Sequence, residues 1–467
     1  MLKKPTLLCS SLPLVFMFGL ISCGNLLFKI PLSFLLIVSA VFTGLLAKGL
    51  GLTWNEMLEG IANKIKQTSQ GLLLVLCIGG LISSWMISGT IPMFIYYGIK
   101  LIDPQYFFVT AFLVTSLAST VTGTSFGSAG TIGVAIMGIA MAQGLSLPIT
   151  AGAVISGAIF GDKMSPCSDT TILASISTNT DLYKHIRHMM YTSGGATIAS
   201  LVVYAAAGFF MPAVPQLDAS MTLIEDLEAL YTMNWLLMLP PILILAGSLL
   251  KKPTIPVILA ASFLALVLGI AMQGFSLPVA ANAFIKGFSM STINPAAALN
   301  NTALLAKLLN RGGLSSMLEV LLLMFCVFAF AGIYSRAGFL DVLLTHMLKL
   351  ITSVPMLIIT TLFSSLLVCF ATGSTYLSIL MLGELFSPIY ERMNVASQNL
   401  SRTLEDAGTC AVPIIPWSIT GIYLSTTVGV PTLDYLPWAV LCYSGMIFAI
   451  VFAVLDFRIT RRESREE

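Results

Sequence analysis

Between two apolar runs, 147–160 and 172–176, the stretch Gly161-Asp162-Lys163-Met164-Ser165-Pro166-Cys167-Ser168-Asp169-Thr170-Thr171 concentrates carboxylate, hydroxyl and ammonium groups. Oxygen donors of these kinds suit a hard alkali cation, whereas softer metals would call for His or Cys ligands. Gly161 and Pro166 are expected to break a helix from within, one by withdrawing side-chain support and the other by removing an N–H. A broken helix frees backbone carbonyls, which a bilayer tolerates only where protein or a water-filled cavity shields them. Discontinuous helices of this type supply cation sites in secondary transporters. Cys167 reads as a small apolar filler rather than a functional thiol.

Two polar tips lie elsewhere in apolar sequence. Residues 119–131 carry Thr122, Thr124, Ser125 and Ser128, and 371–375 carry Thr372, Ser374 and Thr375; a second carboxylate pair, Glu405-Asp406, precedes Thr409. Two pockets are expected. The first joins Thr122, Thr124, Ser125 and Ser128 to Asp162, Ser165, Ser168, Asp169 and Thr170, with the cation at Asp162, Asp169 and Thr124. The second joins Thr372, Ser374 and Thr375 to Glu405, Asp406 and Thr409. Small hydroxyl residues also serve close helix packing; the carboxylates are what mark an ion pathway, because they are costly inside a membrane. Lys163 reads as a structural counter-ion of Asp162 or Asp169. The second pocket is expected to hold its two carboxylates without a basic partner, a net of −2, which makes it the natural proton carrier. Glu319 and Glu384 also fall in apolar segments, each with Arg336 as its expected partner, and Lys163 and Arg336 are the cations expected to be buried.

The elements that must position these groups follow from composition and repetition. With 57% hydrophobic and 9% charged residues and a mean hydropathy of +0.94, the chain is a polytopic membrane protein. A net charge of +2 with no basic run excludes nucleic acid as a partner. The eight cysteines form no CxxC pair, so neither a disulfide framework nor a zinc site is indicated, and no cofactor is expected. Gly89 to Ile102 aligns with Gly338 to Ile351, Thr122-Gly123-Thr124-Ser125 with Thr372-Gly373-Ser374-Thr375, Gly161-Asp162 with Glu405-Asp406, and Tyr191–Gly194 with Cys442–Gly445. The chain therefore divides into halves 1–212 and 234–457, with an extracytoplasmic connection at 213–233 and a cytoplasmic tail at 458–467.

Each half reads as two helices (6–28 and 31–50; 234–250 and 254–274), a surface segment (53–66; 276–315) and a third helix (71–91; 317–337). Two apolar arms then flank a polar tip (105–118 and 132–143; 356–370 and 376–390), each too short to span roughly 30 Å of hydrocarbon, so a re-entrant hairpin is expected. A broken helix (147–176; 399–427) and a closing helix (190–212; 435–457) complete each half. Lys3 and Lys4 before the first apolar run, with Cys23 behind it, also resemble a signal peptide; a first membrane helix fits better, because apolar character continues to Ile30. The expected fold is all-α, with two inverted repeats of five crossings each plus a re-entrant hairpin and a broken helix. With both termini in the cytoplasm, only Lys29, Lys100, Lys286, Lys307 and Arg311 fall outside. Sixteen other basic residues, including Lys3, Lys64, Lys184, Lys349, Arg402 and Arg465, fall inside, as the positive-inside rule requires.

Phe160–Thr171, Trp85–Pro92, the Thr-Gly-Thr-Ser tip and Leu404–Thr409 with Pro416-Trp417 together resemble the NhaC family of sodium/proton antiporters, over nearly the whole chain. The resemblance implies a bacterial inner membrane and sodium, exchanged for protons, as the transported ion. The family also moves organic acids, so a small organic anion stands as the rival substrate, and a homodimer is compatible with this reading. Among other classes, an intramembrane protease lacks its HExxH or Gly-x-Gly-Asp arrangement, with three histidines in all (185, 188 and 346). A channel would share the midplane cation site, but two inverted halves favour alternating access.

Overall fold

The computed structural model describes residues 4–211, 217–290 and 302–462. Lys3, residues 212–216 of the connection, 291–301 of the second surface segment, and 463–467 of the tail with Arg465 lie outside the described residues. Among the described residues every regular element is helical. Nine helices there are long and apolar enough to cross a membrane, or up to twelve if each of three bent pairs is one span. The chain is a multi-pass, all-α membrane protein.

Helices α1 (Leu7–Leu26) and α2 (Leu32–Gly49) come first, and Tyr334 ties α1 to the body by donating to the Ser10 carbonyl at 2.8 Å. α3 (Trp54–Ser88) starts at a capping box of Thr53 and Glu56 and ends at Gly89, whose φ of 89° only glycine adopts readily. The sequence predicts two elements here, 53–66 and 71–91, but the structure joins them. Nothing between Gln67 and Gln70 breaks a helix, and the Thr68 and Ser69 hydroxyls bond back to the Lys64 and Lys66 carbonyls at 2.8 and 3.0 Å. A short helix, α4 (Thr90–Leu101), follows.

α5 (Phe107–Thr122) and α6 (Ser125–Ala142) are the hairpin arms. Their tip is two residues, not the expected 119–131. Hydroxyls assigned to the tip instead bond back inside the arms, Thr120 to the Ser116 carbonyl and Thr131 to the Gly127 carbonyl, at 2.8 and 2.7 Å. Gly123 turns the chain at φ 67° with the Cys167 backbone against it, and Thr124 caps α6.

α7 (Leu147–Met164) and α8 (Asp169–Ser177) form the first broken helix. The break lies at Ser165–Ser168 around Pro166. Gly161 does not break α7: a Cβ there would lie 2.4 Å from Ser119 Cβ and Thr120 N, so its role is to let α5 approach. α9 (Leu182–Phe210) starts at its Asp181 cap, ahead of the predicted 190.

In the second half, α10 (Leu217–Leu230) turns through 97° into the span that contains α11 (Leu239–Leu249). Then come α12 (Thr254–Gln273), α13 (Leu277–Lys286), α14 (Thr302–Leu309), α15 (Leu318–Arg336) and α16 (Phe339–Leu348). The second hairpin is α17 (Val354–Thr372) and α18 (Thr375–Arg392); the second broken helix is α19 (Ser397–Ala411) and α20 (Ile419–Val428), bent by 47°. α21 (Val440–Val454) closes the chain. Local geometry recurs between the halves: Gly338 and Gly373 turn at φ 72° and 65° like Gly89 and Gly123. Thr124 and Ser374 each accept from the N–H three residues on at 3.4 Å. α19 is buried throughout Asn399–Ala411 despite its polar composition.

Candidate functional site

Asp162 occupies the last turn of α7 with 7% of its surface exposed. Ser125, the first residue of α6, donates to its Oδ2 at 2.6 Å, and Ser168, across the break, donates to Oδ1 at 2.7 Å. The Ser168 and Thr170 hydroxyls lie 3.0 Å apart, and Thr171 closes the break by donating to the Asp162 and Lys163 carbonyls at 3.3 and 3.0 Å. The end of a helix presents unsatisfied carbonyls and the negative end of its dipole. Carboxylate, hydroxyl and carbonyl oxygens are therefore the donors at this break, a set suited to a hard cation.

Lys163 faces the other half of the molecule. Its Nζ donates to Asp406 Oδ1 in a close ion pair whose side chains are 1% and 0% exposed, and Thr192 of α9 donates to the same oxygen at 2.9 Å. Lys163 is thus not the counter-ion of Asp162 or Asp169, and the second carboxylate pair does not lack a base. Successive residues on a helix point about 100° apart, so Asp162 and Lys163 meet different elements. The two expected pockets are one cluster, joined where α7 meets α19.

Glu405 is fully buried and, among the described residues, has no hydrogen bond to either carboxylate oxygen, and Asp406 Oδ2 is equally bare. Thr409, one turn beyond Glu405, makes no hydrogen bond of normal geometry to it. Arg402, one turn before Asp406, is buried too. It donates to the Arg458 carbonyl at 3.4 Å and leaves Nε and Nη2 without partners among the described residues. Three carboxylates, Asp162, Glu405 and Asp406, thus stand against Lys163 and Arg402. With all five ionised, one negative charge is uncompensated.

Other expected ligands have hydrogen-bond partners of their own. Asp169 is exposed and accepts from Tyr376 of α18 at 2.5 Å, while Thr124 caps α6. Asp162, Asp169 and Thr124 therefore have separate partners. Thr122 donates to the Ala118 carbonyl at 2.9 Å and meets the Ser128 hydroxyl at 3.0 Å; Ser165 accepts from the Cys167 N–H at 3.2 Å. In the second hairpin Thr372 bonds the Val368 carbonyl, Ser374 caps α18, and Thr375 donates to the Gly408 carbonyl at 3.0 Å, clamping the tip to α19. Glu319 and Glu384 are exposed, and Arg336 pairs with Glu59 at 2.9 Å instead. Arg336 is itself exposed; among the described residues Lys64 and Arg402 are the cations buried besides Lys163.

Thr192, Tyr376 and Arg402 were not among the expected site residues. Two left a trace in the sequence: Thr192 lies in the Tyr191–Gly194 stretch that aligns between halves, and Arg402 stands three residues before Glu405. A cavity of about 1060 Å³ opens at the ends of α9 and α19, lined among others by Lys184, Arg187, His188, Tyr191, Ser397 and Gln398.

A profile described as the Na+/H+ antiporter family matches residues 95–179 and 157–457. A protein of Haemophilus influenzae named as an uncharacterized Na+/H+ antiporter is 43% identical over 98% of both chains. The Na+/H+ antiporter NhaC of Alkalihalophilus pseudofirmus is 35% identical over 93% of this chain and 92% of its own. A malate-2H+/Na+-lactate antiporter of Bacillus subtilis is 30% identical over 96% and 95%. On this likeness over nearly its whole length, the chain belongs to the Na+/H+ antiporter family.

Proposed function

We propose that the protein exchanges Na+ for H+ across a bacterial inner membrane by alternating access, with Asp162 as the shared binding group. The observation that carries this is the buried cluster's single uncompensated negative charge. One monovalent cation completes it. Sodium would bind the Asp162 carboxylate with the Ser125, Ser168 and Thr170 oxygens; a proton would go to Asp162 or to the unpaired Glu405. Because either ion removes the same deficit, each disfavours the other, and that competition becomes antiport when the site opens to one side at a time. Sodium is cargo here, not a resident cofactor.

The frame we propose is two inverted repeats, 1–212 and 234–457, joined outside the cell by 213–233 and ending in a cytoplasmic tail at 458–467. The recurring glycine turns and tip caps support it. The hairpins would be re-entrant, their tips meeting the broken helices near mid-depth. A sodium-coupled exchanger of organic acids, the activity in the name of the Bacillus relative, would need a free cation in the cluster for the substrate carboxylate. Lys163 is already engaged by Asp406, and the other cation of the cluster, Arg402, keeps Nε and Nη2 unpartnered among the described residues, so the transport assay separates the two readings.

The test is a sodium jump outside proteoliposomes loaded with a pH-sensitive dye, with and without lactate and malate. Sodium entry should drive protons out and make the lumen alkaline without any organic acid. A lumen that responds only when an acid is supplied would replace this reading with the organic-acid one.

A further inference from the structure

Helices α3 and α15 touch at Gly60 and Gly332, where a Cβ on Gly60 would lie 2.7 Å from the Gly332 carbonyl oxygen. Beside this crossing lies a cavity of about 270 Å³ bounded by α3, α15, α16 and α18. Lys64 lines it. Counted with the cytoplasmic basic residues from its place in the sequence, Lys64 is 4% exposed, and no ion pair or hydrogen bond of the described residues engages its ammonium. The Lys64 side chain is buried while its ammonium opens on the cavity without a counter-ion, so an anion there would gain a charged partner in a largely desolvated place. The side chains around it are those of a ligand site: Asn63, Gln67 and Ser335 offer hydrogen bonds, and Leu340, Leu377 and Met381 offer apolar wall.

The remaining charges set the ligand's own charge. Arg336 also lines the cavity but is held by Glu59 at 2.9 Å. Asp341 lines it too, exposed and without an ion pair among the described residues. One free positive charge at depth and one free negative charge nearer solvent admit a single carboxylate and oppose a second. The volume falls below the range typical of drug-sized ligands, so the occupant has few heavy atoms.

We propose that this cavity binds a small monocarboxylate through Lys64, at a site separate from the sodium/proton cluster. The two sites share no residue, so this proposal stands or falls independently of the exchange reading. Leu377 and Met381 belong to α18, so the occupant would touch an arm of the second hairpin.

The experiment uses full-length protein in detergent carrying Ser335→Cys, an exposed residue of the cavity wall, and follows maleimide labelling of that cysteine by peptide mass. Propionate or L-lactate should slow labelling at least threefold, with succinate about tenfold weaker in effect. Adding Lys64→Gln should abolish protection, and Lys64→Arg should retain it. Because protection is first read with Lys64 intact, a poorly folding Lys64→Gln leaves the test usable. The proposal is overturned by no protection from either monocarboxylate, by equal protection in a folded Lys64→Gln protein, by succinate matching propionate, or by protection from phosphatidylglycerol vesicles alone.

Discussion

A carboxylate inside a membrane protein is tolerated if it pairs with a cation, accepts hydrogen bonds or gives up its charge. The three in the cluster differ in which of these they have. Asp406 has Lys163, Asp162 has two hydroxyls, and Glu405 has neither. Their substitutions should separate accordingly. Asp406→Asn strands Lys163 and should cost about 3 kcal/mol, read as a lower unfolding temperature in detergent, with Lys163→Met in the same chain restoring most of it. Glu405→Gln removes a bare buried acid and should leave stability unchanged or raise it. Asp162→Asn should keep the fold and abolish exchange; vesicles that still exchange at a near-normal rate would remove Asp162 from the mechanism. Asp162 was legible in the sequence because charge is rare there and its neighbours are hydroxyls. The partner of Lys163 was not, because it comes from 243 positions away on a different helix.

At the scale of elements, what separates reading from structure is the double meaning of small residues. Gly161 and Pro166 both looked like breakers, yet only the segment around Pro166 breaks the helix. Gly161 instead lets α5 lie against α7, where the Ser119 hydroxyl donates to the Ala158 carbonyl at 2.6 Å. This contact also fixes the distance from the hairpin to Asp162, and so the bond from Ser125. Gly161→Ala places a methyl 2.4 Å from backbone and side chain of α5, and should lower stability by about 1–3 kcal/mol and weaken sodium binding. Gly194→Ala on α9 is the control: nothing lies within 4 Å of its Cβ, so helix propensity alone should give a gain of about 0.5–1 kcal/mol. Equal losses in the two variants, measured by thermal unfolding, would refute the packing role of Gly161. The second hairpin and its broken helix lie within two residues of their expected outer bounds, although the tip is Gly373-Ser374 rather than 371–375. α3 was split in the reading because polarity changes along it, and a change of polarity is no obstacle to a continuous helix.

At the scale of the molecule, contacts between distant segments sort into two groups. In one, Thr180 donates to Ser397 at 2.9 Å, the Ala396 N–H donates to the Thr460 carbonyl at 3.0 Å, and Arg462 pairs with Glu391 at 3.0 Å. In the other, Lys100 pairs with Glu228 at 3.4 Å, Gln273 donates to the Ser88 carbonyl at 2.9 Å, and Tyr204 donates to the Trp438 carbonyl at 2.8 Å. Every residue of the first group falls on the cytoplasmic side when basic residues are counted, and every residue of the second falls on the opposite side. The count of charges made no use of these contacts, so their agreement supports one orientation for the whole chain. The parity of each half is also insensitive to how deep its hairpin goes. A hairpin adds either no crossing or two, so the five crossings proposed for each half would stay odd and the second half would enter inverted in both cases. Single cysteines in place of Lys184 and Lys349 should therefore both react with an impermeant maleimide from the cytoplasmic face, and a cysteine in place of Lys100 from the opposite face. Lys184 and Lys349 labelling from opposite faces would mean that one half crosses an even number of times, and the inverted frame would fail along with the cluster it is proposed to align.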